Sequence, residues 1–249
     1  MPNQRRQSEG AAPAGRRDAL AIGHVRLGDA PRIVAAGGEA ELDALAHADG
    51  ADLVELRADL FAAPTPERVG AALCRLRDAG RPVILTVRAA AEGGRAMDEA
   101  RRRAIYAAGI PLAQAVDVEI ASTALVAEAV PAARAAGCTV ILSAHALDGT
   151  PPNEFLLGLV ERARTLGADV TKLAAHANDL EDVRRLLEVT LGARHRHVVT
   201  IAMGAAGAPS RVLFPLAGSL LTYASVGEAT APGQMPLAEV SALLRRIYA

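Results

Sequence analysis

Short apolar runs rich in Val, Ile, Leu and Ala alternate along the chain with longer segments whose apolar positions recur at helical spacing. The runs predict strands at 32–36, 52–57, 83–88, 115–120, 139–145, 168–174, 197–203 and 219–226. The longer segments predict helices at 39–47, 66–79, 98–112, 123–136, 152–166 and 180–191, and a last one at 236–248. Pro66 and Pro152 sit near helix starts, where a missing N–H is harmless, and Gly80, Gly137, Gly167 and Gly192 are expected to follow helix ends. Eight strand–helix units in roughly 220 residues fit a (β/α)8 TIM barrel, α/β in class and a single domain over 19–249, better than an open doubly wound sheet. No Gly-x-Gly-x-x-Gly turn follows the first strand, which lowers the dinucleotide-binding version of that sheet further. Segment 19–29 precedes the first strand and is expected to cap the bottom of the barrel. Residues 1–18 hold no apolar h-region and predict a disordered tail.

Barrels of this kind react substrates at the C-terminal ends of their strands, and residues two apart on a strand share a face. Read that way, the strands end in polar pairs: Glu55 with Arg57, Thr86 with Arg88, Asp117 with Glu119, and Ser143 with His145. Lys172 holds the matching place on the sixth strand. One such pair is usually a solvated strand end. Five strands in register are harder to dismiss, because burying so many ionisable groups is costly unless they bind something or each other. In the loops stand Glu92-Gly93-Gly94 after the third strand, Met203-Gly204, Gly207 and Ser210-Arg211 after the seventh, and Thr230 through Gln234 after the eighth. Arg211 is placed to clamp a carboxylate or phosphate, an anion habitually bound by the last two loops of a barrel.

Composition sharpens one residue. Of 27 basic side chains, Lys172 is the one lysine; the others are arginine. A chain with that bias would readily have replaced a lysine of no special role, and an amine can lose a proton and attack a carbonyl where guanidinium cannot. The net charge of -1 argues against nucleic acid or a membrane surface as partner, and three Phe, three Tyr and no Trp leave little for base stacking. The longest uncharged stretch, 212–227, is 16 residues and is interrupted by Pro215 and Gly218, too short to span a bilayer. Cys74 and Cys138 stand apart without metal-ligand spacing, and a reducing cytoplasm is the expected compartment.

Taken together these segments resemble type I 3-dehydroquinate dehydratase, the Schiff-base enzyme of the shikimate and quinate pathways. The matching pieces surround Glu55, Arg57 and Asp59; Thr86, Arg88 and Glu92-Gly93-Gly94; Asp117 and Glu119; Ser143, His145 and Thr150-Pro151; Lys172; Met203-Gly204 with Ser210-Arg211; Gly218-Ser219; and Ala231-Pro232-Gly233-Gln234. They cover about 31–248 in the right order. The resemblance implies that Lys172 forms an imine with the C3 ketone of 3-dehydroquinate. His145 then moves the C2 proton and helps the C1 hydroxyl leave, with Glu92 orienting it. It further implies that Arg211 and Gln234, with Thr230 beside them, hold the carboxylate, and that Glu55, Arg57 and Arg88 hold the hydroxyls and ring. A homodimer without metal or organic cofactor is implied as well. Two departures stand out: the family commonly has an acid and then an aromatic after its histidine, where this chain has Ala146 and Leu147, and serine where it has Thr230. The acid is expected to tune the histidine. A class I aldolase-type barrel and a ligand-sensing pseudoenzyme are the competing readings.

Overall fold

The computed structural model describes residues 20–248. The expected tail, 1–18, lies outside the described residues. A short antiparallel hairpin, β1 (Ala21–Ile22) and β2 (Val25–Arg26), comes first. Eight parallel strands follow: β3 (Arg32–Gly37), β4 (Leu53–Arg57), β5 (Val83–Thr86), β6 (Ala115–Glu119), β7 (Thr139–Ala146), β8 (Val170–His176), β9 (Val198–Met203) and β10 (Leu221–Ser225). Each pairs with the next in sequence from β3 to β9, and β10 pairs with β3. The ring meets itself between β9 and β10, where Leu220 N donates to Val198 O at 2.9 Å. Helices α1 (Leu42–Ala46), α2 (Pro66–Asp78), α3 (Glu99–Gly109), α4 (Thr123–Ala135), α5 (Asn153–Leu166), α6 (Leu180–Ala193), α7 (Ser210–Leu216) and α8 (Leu237–Tyr248) connect the strands and close the chain, giving the expected (β/α)8 barrel. Among the described residues no helix is long and apolar enough to cross a membrane.

The strands alternate, and the alternation builds two cores. Val54, Leu56, Leu85, Val116, Val118, Val140 and Leu142 face outward and pack against the helices. Val34, Leu53, Ile84, Ala115, Ile141, Val170, Val199 and Leu221 face inward and fill the lower barrel. The hairpin completes this inner core from below. Ile22 is fully buried against it, and Thr139 Oγ1 donates to Ala21 O at 2.8 Å, so the strand starts are stoppered. Two residues further along β4 to β8 the inward positions change character, which is where the site lies.

Local sequence explains most boundaries. Thr65, Asp98 and Asp179 accept backbone N–H groups of the first turns of α2, α3 and α6, and Pro66 opens α2. Gly80, Gly137 and Gly167 follow α2, α4 and α5 as expected, whereas Gly192 lies inside the last turn of α6, which runs on to Ala193. Helix α7 was not foreseen: seven residues flanked by Pro209 and interrupted by Pro215 are too few to show a helical period. The sixth barrel strand, β8, reaches His176 rather than stopping at 174, which sets Lys172 in mid-strand, level with Ser143.

Candidate active site

Above the apolar floor, the inward positions of β4 to β8 form a buried ionic layer. Lys172 Nζ lies 2.8 Å from Asp117 Oδ2 and 3.2 Å from Glu55 Oε1, and all three side chains are almost wholly out of water. Thr86 Oγ1 donates to the same Glu55 oxygen at 2.9 Å. Arg88 fills the next gap, donating to Asp117 Oδ1 (3.0 Å), Glu119 Oε1 (3.0 Å) and Ser143 Oγ (2.8 Å). Burial by itself would raise the Asp117 carboxyl, but Arg88 and Lys172 outweigh it and hold the group well below the usual carboxylate range. Burial would likewise lower Arg88, and Asp117 and Glu119 reverse that and keep it cationic. The strand-end pairs therefore satisfy one another, which is how a β-core tolerates them.

Three residues outside the expected set brace this layer. Asp59 takes Arg57 Nε and NH2 at 2.9 and 2.7 Å and also accepts Arg88 N at 3.1 Å. Arg102, on α3, reaches through the wall to Glu119 and to the Val87 carbonyl. Tyr106 donates to Asp117 O and accepts Val87 N.

His145 ends the layer on β7. Its Nδ1 lies 2.8 Å from Glu92 Oε2, and its own backbone N–H donates to that oxygen at 3.0 Å. Glu92 reaches it from a single 3-10 turn, Ala90–Glu92, whose exit needs the glycine pair: Gly93 has φ +88°, and a Cβ on Gly94 would sit 2.1 Å from the Arg88 carbonyl oxygen. Burial is the main force on both members. It depresses the His145 imidazole well below its usual range, with Arg88 and Lys172 adding to the effect, and it pushes Glu92 up to about 7 against the pull of Arg88.

The last two loops complete the bowl. Arg211, in the first turn of α7, is 2% exposed, and its Nε and NH2 meet no hydrogen-bond partner among the described residues. Burial without a counter-charge lowers its pKa to about 10. Gln234 Oε1 accepts from Thr230 N (2.7 Å) and Thr230 Oγ1 (3.0 Å), leaving its NH2 group as the donor edge. This loop rests on the one before it: Gly204 N donates to Pro232 O at 3.1 Å, and Gly233, at φ +70°, lies so close that a Cβ would be 2.2 Å from Gly204 O.

All nine residues expected to form the site line one cavity, open at the C-terminal end of the barrel. Their engagement differs from the expectation in one respect. Glu55, Arg57 and Arg88 already hold protein partners, so among the described residues Arg211 is the one of the three expected arginines with buried donors left without a partner. The cavity also includes Tyr223, whose ring lies under Lys172 Nζ at 4.0 Å. Period-two alternation from Leu221 would have placed it inward. His176 is not part of the lining; its ring packs on Gly204. Ala146, after the histidine, points the other way and packs with the outer core of α5 and α6, while Leu147 lines the rim.

A parallel barrel with a lysine buried among carboxylates at its catalytic end, a histidine–glutamate pair across the bowl and an unpaired arginine in its last loops defines a barrel enzyme with a lysine-centred site. The profile of type I 3-dehydroquinase matches residues 33–249. The 3-dehydroquinate dehydratase of Methanococcoides burtonii is 36% identical over 226 residues, 89% of this chain and 96% of its own. The crystal structure of the Geobacillus kaustophilus enzyme of that name superposes with a TM-score of 0.84 at 31% identity, covering 93% of this chain and 96% of that one. A type I 3-dehydroquinate dehydratase from Clostridium difficile, solved with covalent modified comenic acid, superposes with a TM-score of 0.84 at 25% identity, covering 93% and 98%. The chain belongs to the type I 3-dehydroquinase family, and with it to the hydro-lyases.

Proposed function

We propose that the chain converts 3-dehydroquinate to 3-dehydroshikimate and water through an imine on Lys172. One observation carries the reading: the one lysine of the chain is buried in the same cavity as a histidine whose Nδ1 is held by Glu92. Nζ sheds a proton to a neighbouring carboxylate and adds to the C3 ketone, and the same proton returns to the carbinolamine hydroxyl, which leaves as water to give a protonated imine. His145 is neutral at physiological pH, because burial depresses it, and Glu92 Oε2 already accepts a backbone N–H. That oxygen therefore accepts a hydrogen bond from Nδ1–H, which leaves Nε2 unprotonated as the basic edge. Nε2 removes a C2 proton, and the electron pair moves into the imine to give an enamine. The enamine pair then expels the C1 hydroxyl, which leaves as water with the proton from His145, and the imine returns. Water hydrolyses it, freeing product and amine.

Arg211 and Gln234 receive the substrate carboxylate in this reading. A buried guanidinium with two donors unmet is an open demand for an anion, and the planar fork of arginine matches a carboxylate. The covalent ligand in the Clostridium difficile relative favours covalent chemistry here. A homodimer in the cytoplasm belongs to the same proposal, the dimer from the family resemblance and the compartment from the cysteine usage; sedimentation of the purified chain tests the dimer.

Borohydride reduction with and without 3-dehydroquinate, followed by peptide mass spectrometry, tests the core of the proposal. The expected result is a reduced adduct on Lys172 alone, absent in Lys172→Arg, which keeps the charge and loses several orders of magnitude of turnover. Turnover near that of the parent in Lys172→Arg would overturn it.

A further inference from the structure

Among the described residues two buried polar groups of the cavity lack protein partners, and the steps above use only Arg211. The other is the Tyr223 hydroxyl. Tyr223 is 4% exposed on β10, its oxygen is closed off from water, and it meets no hydrogen-bond partner among the described residues. Its ring face lies 4.0 Å from Lys172 Nζ. A phenylalanine would supply the same face without stranding a hydroxyl, and a buried group left unsatisfied in the free enzyme points to a partner that arrives with the ligand. Burial, reinforced by Glu55 and Asp117 and opposed by Arg88, pushes the phenol far above its usual range, so it stays protonated and able to donate. The same two carboxylates disfavour an anion beside it. Its partner is then an uncharged oxygen.

We infer that the Tyr223 hydroxyl binds the C4 hydroxyl of the substrate, while the ring beneath it stabilises the cationic nitrogen of Lys172 both as ammonium and as imine. The inference rests on the imine reading, because it takes C3 to be joined to Nζ. C2 and C4 then flank the bonded carbon, and of the two only C4 bears an oxygen. That oxygen stands three bonds from Nζ; the phenol oxygen stands one ring radius and one C–O bond from the centroid under Nζ. The two fall within reach of each other, whereas the C5 hydroxyl lies a bond further along the ring. The carboxylate, on C1, is turned toward Arg211. A cation over an aromatic face is favoured when both are dry, and the nitrogen keeps its positive charge when ammonium becomes protonated imine.

The test compares the parent, Tyr223→Phe and Tyr223→Leu with 3-dehydroquinate and with its 4-deoxy analogue. Tyr223→Phe should raise KM for 3-dehydroquinate about tenfold, as for a lost buried hydrogen bond, keep kcat near that of the parent and melt no lower. On the 4-deoxy analogue the parent and Tyr223→Phe should have the same KM. Tyr223→Leu, which loses the ring as well, should also lower kcat and the yield of borohydride-trapped adduct. A parent that traps on Lys172 while Tyr223→Phe shows the KM of the parent would overturn the inference and leave the imine standing. An equal rise in KM on both substrates would overturn the C4 assignment. A parent that traps no adduct overturns the imine reading and the C4 contact together.

Discussion

A single oxygen, Glu92 Oε2, meets the ring Nδ1 of His145 at 2.8 Å and its backbone N–H at 3.0 Å, so one acid sets both where the imidazole hangs and which edge it turns to the cavity. Burial displaces the titrations of Glu92 and His145 in opposite directions from those of the usual ion pair. Burial outweighs their mutual attraction, leaving a neutral histidine beside a carboxyl that titrates near neutrality.

Glu92→Gln should therefore change two profiles at once. With Glu92 pushed up to about 7, the acidic limb of kcat/KM for the parent is expected near that pH; the variant loses this limb and about 10²-fold or more in rate, the cost of a misdirected tautomer. Stability should move the other way. The folded state keeps a proton on Glu92 that the unfolded chain releases between pH 4.5 and about 7, so stability falls as pH rises through that window. Above it the ionised acid costs about 3 kcal/mol, which Gln recovers. Denaturation of both proteins at pH 4 and pH 8 should show the gain only at pH 8.

Arg211 carries a similar tension. Its unpaired donors cost stability in the free enzyme, so Arg211→Met should be more resistant to urea by about 1–3 kcal/mol while binding substrate far more weakly. Arg211→Lys should raise KM markedly with little change in kcat, because a point charge cannot reproduce the fork. An unchanged KM in the lysine variant would move the carboxylate elsewhere in the cavity.

Ala146 faces the helices, not the cavity, so an acid placed there has no path to the imidazole. Ala146→Asp is expected to leave the acidic limb in place, contrary to the role suggested by its position next to His145. Its neighbours include Asp182 and Arg185, and the carboxylate should settle toward the arginine. A limb displaced to higher pH would show that the acid does reach His145.

Gly233→Ala drives a methyl group toward Gly204 O in a backbone conformation that alanine rarely adopts. The loop bearing Thr230 and Gln234 should lift, raising KM about tenfold or more with an almost unchanged melting temperature, since little core lies beneath it. A parallel fall in melting temperature would mean that the loop braces the barrel itself.

The strand ends were legible because a period of two is kept through the whole barrel: once Leu53 faces inward, Glu55 and Arg57 must follow. Lys172 stood out because arginine fills every other basic position. Three things were hidden. Nothing in the sequence singles out Arg102 from Arg101 and Arg103 beside it, yet Arg102 is 4% exposed, a result of how α3 lies over the ends of β5 and β6. Tyr223 reads as core packing, since a stranded hydroxyl exists only once its neighbours are assembled. Ala146 looked like a neighbour of the histidine because adjacency in sequence is opposition in a strand.

The hairpin that stoppers the strand starts makes the barrel a chamber with one doorway. Substrate, the departing water and product all pass the rim that Leu147 and the Thr230 loop share. Traffic is then single file: no molecule can enter by one end while another leaves by the other. Product must clear the same rim through which the next substrate enters.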